Sequence, residues 1–152
     1  MVGTVTLEDT TFAPLPMKFE AGTQNFIGQS TLKPALEVVK ELTDSDIKKY
    51  GNEVSAFLYD ELTAMNRVRL LGTAKPRVSV FSFSVDGVHH EDLAQILDKM
   101  GIAVRSGQMC AEPVMTRFEV TGVLRASLAP YNTLEEAEVF LRALDKAVTM
   151  LS

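Results

Sequence analysis

The 152-residue chain has no tryptophan and a single cysteine, Cys110. One thiol cannot close an internal disulfide or build a site from several thiolates, and it fits a reducing compartment. No apolar stretch approaches the ~18–20 residues that span a bilayer. The opening MVGTVTLEDTTF lacks a basic flank and soon meets Glu8 and Asp9, unlike a signal peptide, so a cytoplasmic location is expected. Basic runs of five or more are missing too. Lys plus Arg total 15 against 20 Asp plus Glu, for a net charge of -5, and such a surface repels phosphate backbones. Nucleic acid is therefore not an expected partner. With only 9 Gly and 6 Pro, 46% hydrophobic and 23% charged residues, disorder and collagen-like repeats are excluded. The length fits one domain.

What is present reads as an α+β chain. Residues 1–23 form an arm with one short alternating piece, Thr4-Val5-Thr6-Leu7, and then Pro14 and Pro16, which bias it toward extended geometry. Phe12, Leu15, Met17 and Phe19 on this arm need a surface to cover, so it is expected to pack on another domain or subunit. Residues 24–152 are expected to make a small α+β domain. Leu32, Leu36, Val39 and Leu42 fall near helical spacing between Asn25 and Leu42. A second helix from Thr43, with Asp44 and Asp46 in its first turn, carries Val54, Leu58 and Leu62 on one face. Val68–Leu71 predicts a strand. Past a Lys75-Pro76 break, Val78–Ser84 alternates almost strictly, the pattern of a strand with one face buried.

Asp86-Gly87 turns the chain into a helix from about His90 to Met100, ended by Gly101. Ile102–Arg105 and Val123–Leu128 predict two more strands. Thr133-Leu134-Glu135-Glu136 is a capping box, opening a last helix whose stripe includes Phe140, Leu144 and Val148. Helices on one side of a short sheet is the layout this order favours.

Four places could carry chemistry. Cys110 lies in the loop Arg105-Ser106-Gly107-Gln108-Met109-Cys110-Ala111-Glu112-Pro113. A free cysteine is often a buried inert residue. A loop between strands, with Arg105 near to favour the thiolate, argues instead for a nucleophile. Arg125 interrupts an apolar strand. It is either an edge-strand arginine with a solvated head or a planar fork offered to a carboxylate. His89-His90 is a tempting metal pair, yet adjacent residues do not converge on one ion without special geometry, and a turn into a helix is the plainer account. Glu20-Ala21-Gly22-Thr23 is a Gly-containing bend ahead of a helix, where amides and a hydroxyl can hold a phosphate.

Three ordered segments carry a resemblance. Lys18-Phe-Glu-Ala-Gly-Thr23, Arg105-Ser-Gly-Gln-Met-Cys110-Ala-Glu-Pro and Leu124-Arg-Ala-Ser-Leu-Ala-Pro-Tyr-Asn-Thr133 resemble the C-terminal part of SufS-type (group II) cysteine desulfurases and selenocysteine lyases. These are pyridoxal 5'-phosphate enzymes of the class V aminotransferase fold. The resemblance implies the small C-terminal domain of a fold-type I enzyme, with a short, mostly antiparallel sheet. It implies that Cys110 takes sulfur from cysteine and holds it as a persulfide, for iron-sulfur cluster assembly. Arg125 would clamp the substrate carboxylate and Arg105 would support the cysteine loop. Thr23, with Gly22 beside it, would contact the cofactor phosphate in a partner subunit's site. A homodimer and a sulfur-acceptor protein are the partners implied.

The chain departs from that pattern in places. Lys18 stands where arginine is common, Gln24 where proline is common, and Gln108-Met109 where histidines often precede the cysteine. The family's Schiff-base lysine follows a histidine, and no lysine here does. That lysine would belong to a large domain, so the chain alone is expected to bind no cofactor and to turn over no cysteine. Two other functions compete: a free-standing thiol carrier or dimerisation module, and a class V relative whose chemistry does not use the cysteine.

Overall fold

A computed structural model of the chain describes residues 1–43, 45–75 and 77–152. Asp44, expected in a helix's first turn, and Pro76, expected at a break, lie outside the described residues. The chain divides into two compact units, Met1–Glu41 and Leu42–Ser152.

In the first unit, β1 (Val2–Val5) pairs antiparallel with β2 (Thr10–Phe12), so the front of the arm is a hairpin. Thr6 organises its turn: its backbone amide donates to the Asp9 carbonyl at 2.8 Å, and its hydroxyl accepts from the Asp9 amide at 2.9 Å. The expected strand thus sits two residues earlier than its alternation suggested, because local turn bonds rather than a buried face set its register. The Lys18 ammonium lies 5.2 Å from the centre of the Phe12 ring. The helix expected over 25–42 is broken into α1 (Phe26–Ser30) and α2 (Leu32–Thr43). Asn25 caps α1 by accepting the Gly28 amide at 3.0 Å.

The second unit holds the core. Helix α3 (Asp46–Ala64) leads to β3 (Val68–Leu71), β4 (Val80–Val85) and α4 (His90–Lys99). Then come β5 (Arg105–Gly107), α5 (Glu112–Phe118), β6 (Val123–Ser127) and α6 (Leu134–Met150). The sheet runs β3-β4-β6-β5 and every pair is antiparallel. Phe81, Phe83 and Val85 of β4 and Leu124 and Ala126 of β6 point to one face. There they meet Leu58 and Leu62 of α3, Leu93 and Leu97 of α4, and Phe140, Leu144 and Val148 of α6. Phe83 and Phe140 pack edge to face with centroids 6.4 Å apart. This is the α+β fold expected, with three helices on one face.

Two expectations need adjusting. β5 begins at Arg105, where Ile102–Arg105 was expected, since Ile102 is tied to the end of α4 by its amide bond to the Leu97 carbonyl. Helix α5 was not anticipated. Its seven residues have too little periodicity to read, but Pro113 in the first turn and left-handed Glu119 (φ 58°) at its end are start and stop signals.

The capping box on α6 is fully formed. Thr133 Oγ1 accepts the Glu136 amide, and Glu136 Oε2 accepts both the Thr133 amide at 2.9 Å and the Asn132 side chain at 3.1 Å. Those bonds, the Thr133 amide first, hold the Glu136 carboxyl below its ordinary value of 4.5. A group with a depressed folded value stabilises the fold above the unfolded value and loses that contribution as pH falls. Replacing Thr133 with Ala should cost about 1 kcal/mol in urea unfolding at neutral pH. Glu136→Gln should flatten the stability profile below pH 4.5 relative to the parent, and an unchanged acid limb would contradict the assignment.

Candidate active site

Alternation along β6 sets the site. With Leu124 and Ala126 committed to the core, Arg125 must point to the opposite face of the sheet. β6 is an interior strand, so Arg125 is not the edge-strand arginine that the sequence left open. Its Cα partners are Ser82 on β4 and Arg105 on β5. Ser82, Arg125 and Arg105 therefore form one row across three strands on the face away from the helices. Ser84 lies on that face of β4 as well, opposite Arg69 of β3.

Two guanidinium groups directly opposite each other in an antiparallel pair repel. Nothing nearby compensates them: among the described residues the one ion pair joins Arg142 to Glu138 on α6 at 3.5 Å. Arg125 Nε is buried and makes no hydrogen bond. A buried donor of this kind carries a desolvation penalty of about 1–3 kcal/mol until an acceptor arrives. Arg125 is half-buried with its Nε unpartnered, and an acceptor bonding to that fork would remove the penalty.

β5 ends at Gly107, whose partner on β6 is Val123, and Cys110 follows three residues later. The loop bends sharply. Gly107 has φ 112°, and the non-glycine residues Met109 and Cys110 both have φ 57°. A left-handed conformation costs roughly 1–2 kcal/mol for a residue with a side chain. The Ala111 amide closes the bend on the Gln108 carbonyl at 3.0 Å, and α5 starts at once. The result is an exposed thiol, not the buried inert cysteine that was the plainer reading. Arg105 on the edge strand β5 thus pairs with Arg125 on β6, and the same edge strand runs on into the Cys110 loop.

Gly22 and Thr23 belong to the first unit. Gly22 is left-handed at φ 72°, with nothing within 4 Å of where a Cβ would be, and Thr23 is exposed. Such an open, glycine-bent turn leaves backbone and hydroxyl accessible to a phosphate. His89 caps α4, its Nδ1 accepting the Glu91 amide at 3.4 Å, and its ring lies 4.3 Å from that of His90. Among the described residues, no group of three or more His, Cys, Asp or Glu side chains is placed to hold a metal.

The chain belongs to the class-V aminotransferase family, whose pattern matches residues 1–140. It is 41% identical over 151 residues to a probable cysteine desulfurase from Vibrio cholerae, covering 99% of this chain and 37% of that protein. Its structure is similar to that of the cysteine desulfurase CsdA (S-sulfonic acid) from Escherichia coli. The TM-score is 0.78 at 35% identity, covering 100% of this chain and 38% of that one. A variant of C-DES with glycine covalently linked to its PLP cofactor shares the fold, with a TM-score of 0.60 at 23% identity over 93% of this chain and 35% of that one. Proteins named cysteine desulfurase therefore match the chain along nearly its whole length, while the chain spans little more than a third of theirs.

If Arg105 and Arg125 repel as their register requires, Arg105→Gln should leave the anion-free chain as stable as the parent or more so, by up to about 1 kcal/mol at low ionic strength. Urea unfolding in chloride-poor buffer checks this. A clear loss of stability would mean that the Arg105 head is bonded within the fold.

Proposed function

We propose that this chain supplies the sulfur-accepting and carboxylate-binding part of a SufS-type cysteine desulfurase or selenocysteine lyase, converting L-cysteine to L-alanine with the sulfur kept on Cys110. The observation carrying this reading is the buried, unpartnered Nε of Arg125 on β6, whose neighbour, the edge strand β5, runs into the loop of an exposed cysteine. A guanidinium fork matches a carboxylate with two parallel bonds. Arg105, opposite Arg125, adds a second positive charge to the substrate site and leads directly into the cysteine loop.

The residues present suit two separate parts of pyridoxal 5'-phosphate chemistry. In the first unit, Thr23 and the open bend at Gly22 suit a phosphate oxygen of a partner subunit's site, and in the second unit Arg125 suits an amino-acid carboxylate. When bound, the cofactor supplies the covalent attachment and electron sink for the amino acid. No lysine of this chain follows a histidine, as the Schiff-base lysine does in the resembling family, so that anchor is assigned to a large domain or second subunit.

This chain's own contribution then has three parts. Arg125 fixes the substrate carboxylate, which orients the substrate sulfur. The strained loop presents Cys110 Sγ to it. Attack by the Cys110 sulfur forms the S–S bond of a persulfide as the substrate C–S bond breaks. The electron pair stays with the carbon, which takes up a proton to become the methyl group of alanine. Exposure of Cys110 lets an acceptor protein collect the sulfur for iron-sulfur cluster assembly. The first 23 residues serve as an arm on another domain or subunit, and the assembly is a cytoplasmic homodimer. No helix among the described residues is long and apolar enough to cross a membrane.

Mixing the chain with a pyridoxal-phosphate-loaded large domain and L-cysteine tests the reading. Intact-mass analysis should show Cys110 gaining one sulfur atom, with none on Cys110→Ala. Arg125→Ala should reduce the rate by about 100-fold or more, as expected for loss of a positioning clamp. An intact complex that releases alanine without a sulfur adduct on Cys110 would contradict the role given to the thiol.

A further inference from the structure

The histidine pair plays no part in the chemistry above, yet His90 is tied to the strand that carries Arg125. His90 opens α4, and Gly122, buried, immediately precedes β6. A Cβ placed on Gly122 would come within 2.7 Å of His90 Cδ2 and 2.8 Å of Cε1, and closer still to Nε2. The imidazole therefore lies flat against the Gly122 backbone, in space that only glycine leaves open. His90 Nδ1 is buried and has no hydrogen-bond partner. The ring borders a cavity of about 320 Å³ at the end of the sheet, next to Leu93, Val120 and Leu124.

We propose that His90 is a positioning residue: its ring, seated on Gly122, sets the start of β6 and through it the Arg125 fork three residues on. The proposal rests on the reading of Arg125 as the carboxylate clamp. Burial, then the neighbouring His89, lowers the His90 value below the ordinary 6.5, while Glu91 and Asp92 oppose the shift. The other charged groups on the cavity are Asp86 in the β4–α4 turn, Arg69 on β3 and Glu119 at the end of α5. Burial and His89 resist a charge on the seated ring. A protonated imidazole is instead drawn off Gly122 toward water and the surrounding carboxylates. Because the folded value lies below the unfolded one, the seat stabilises the fold above pH 6.5 and is lost as pH falls from there toward the folded value. Carboxylate binding at Arg125 should weaken over the same range.

The test is an NMR pH titration of the full chain, with L-alanine as the carboxylate probe because its carboxyl stays ionised throughout. The backbone amides of Val123, Leu124 and Arg125 should shift with the His90 ring midpoint, and the dissociation constant for L-alanine should rise as pH falls through it. In His90→Gln both pH dependences should vanish while the remaining spectrum is preserved. Gly122→Ala should unfold at lower urea than the parent, and most of that loss should disappear in the His90→Ala background. The inference is overturned if the three amides ignore the His90 midpoint, or if their pH dependence survives in His90→Gln. Failure of L-alanine to bind at any pH, with the amides still following His90, would instead overturn the reading of Arg125 as the clamp.

Discussion

The structure depends on one constraint, the antiparallel register that sets Arg105 of β5 opposite Arg125 of β6 with Ser82 of β4 on the other side. A shift of one residue would send Arg125 into the core and Leu124 out of it, which the apolar face excludes. Packing of Phe81, Phe83, Leu124 and Ala126 beneath α3, α4 and α6 therefore secures the register, and the register secures the cation pair. The like charges are tolerated because the core holds the strands in place.

The same logic explains the cysteine loop. It leaves the sheet at Gly107 and turns through two left-handed residues before α5 begins at Glu112. Strain of this kind persists only where the flanking elements are firm. Here they are β5, bonded to an interior strand, and α5, whose Met115 is buried. The exposed thiol therefore hangs from a braced bend, close in sequence to Arg105.

Much of the fold was readable from the residues. The alternation read in Val78–Ser84, the capping box at Thr133 and the apolar stripe of α6 each have one physical cause; the box and the stripe appear where that cause puts them, and the strand appears shifted to Val80–Val85. Short or locally bonded elements were not readable. The hairpin of β1 and β2 is organised by Thr6 and Asp9, and α5 is too short for a helical period. At the site, Cys110, Arg105 and Arg125 stood out by residue type and setting. Their facing arrangement did not, because cross-strand register couples residues 20 apart that no local pattern relates. The seat of His90 on Gly122 was hidden for the same reason, its only sequence sign being a glycine just before a strand.

The most direct measurement of the central claim is side-chain NMR of the arginine Nε–H groups during titration with L-alanine. Arg125 should show a saturable shift, while Arg142, paired with Glu138 on the surface, stays still. Equal, non-saturating shifts at Arg125 and Arg142 would contradict a prepared carboxylate site on this face of the sheet.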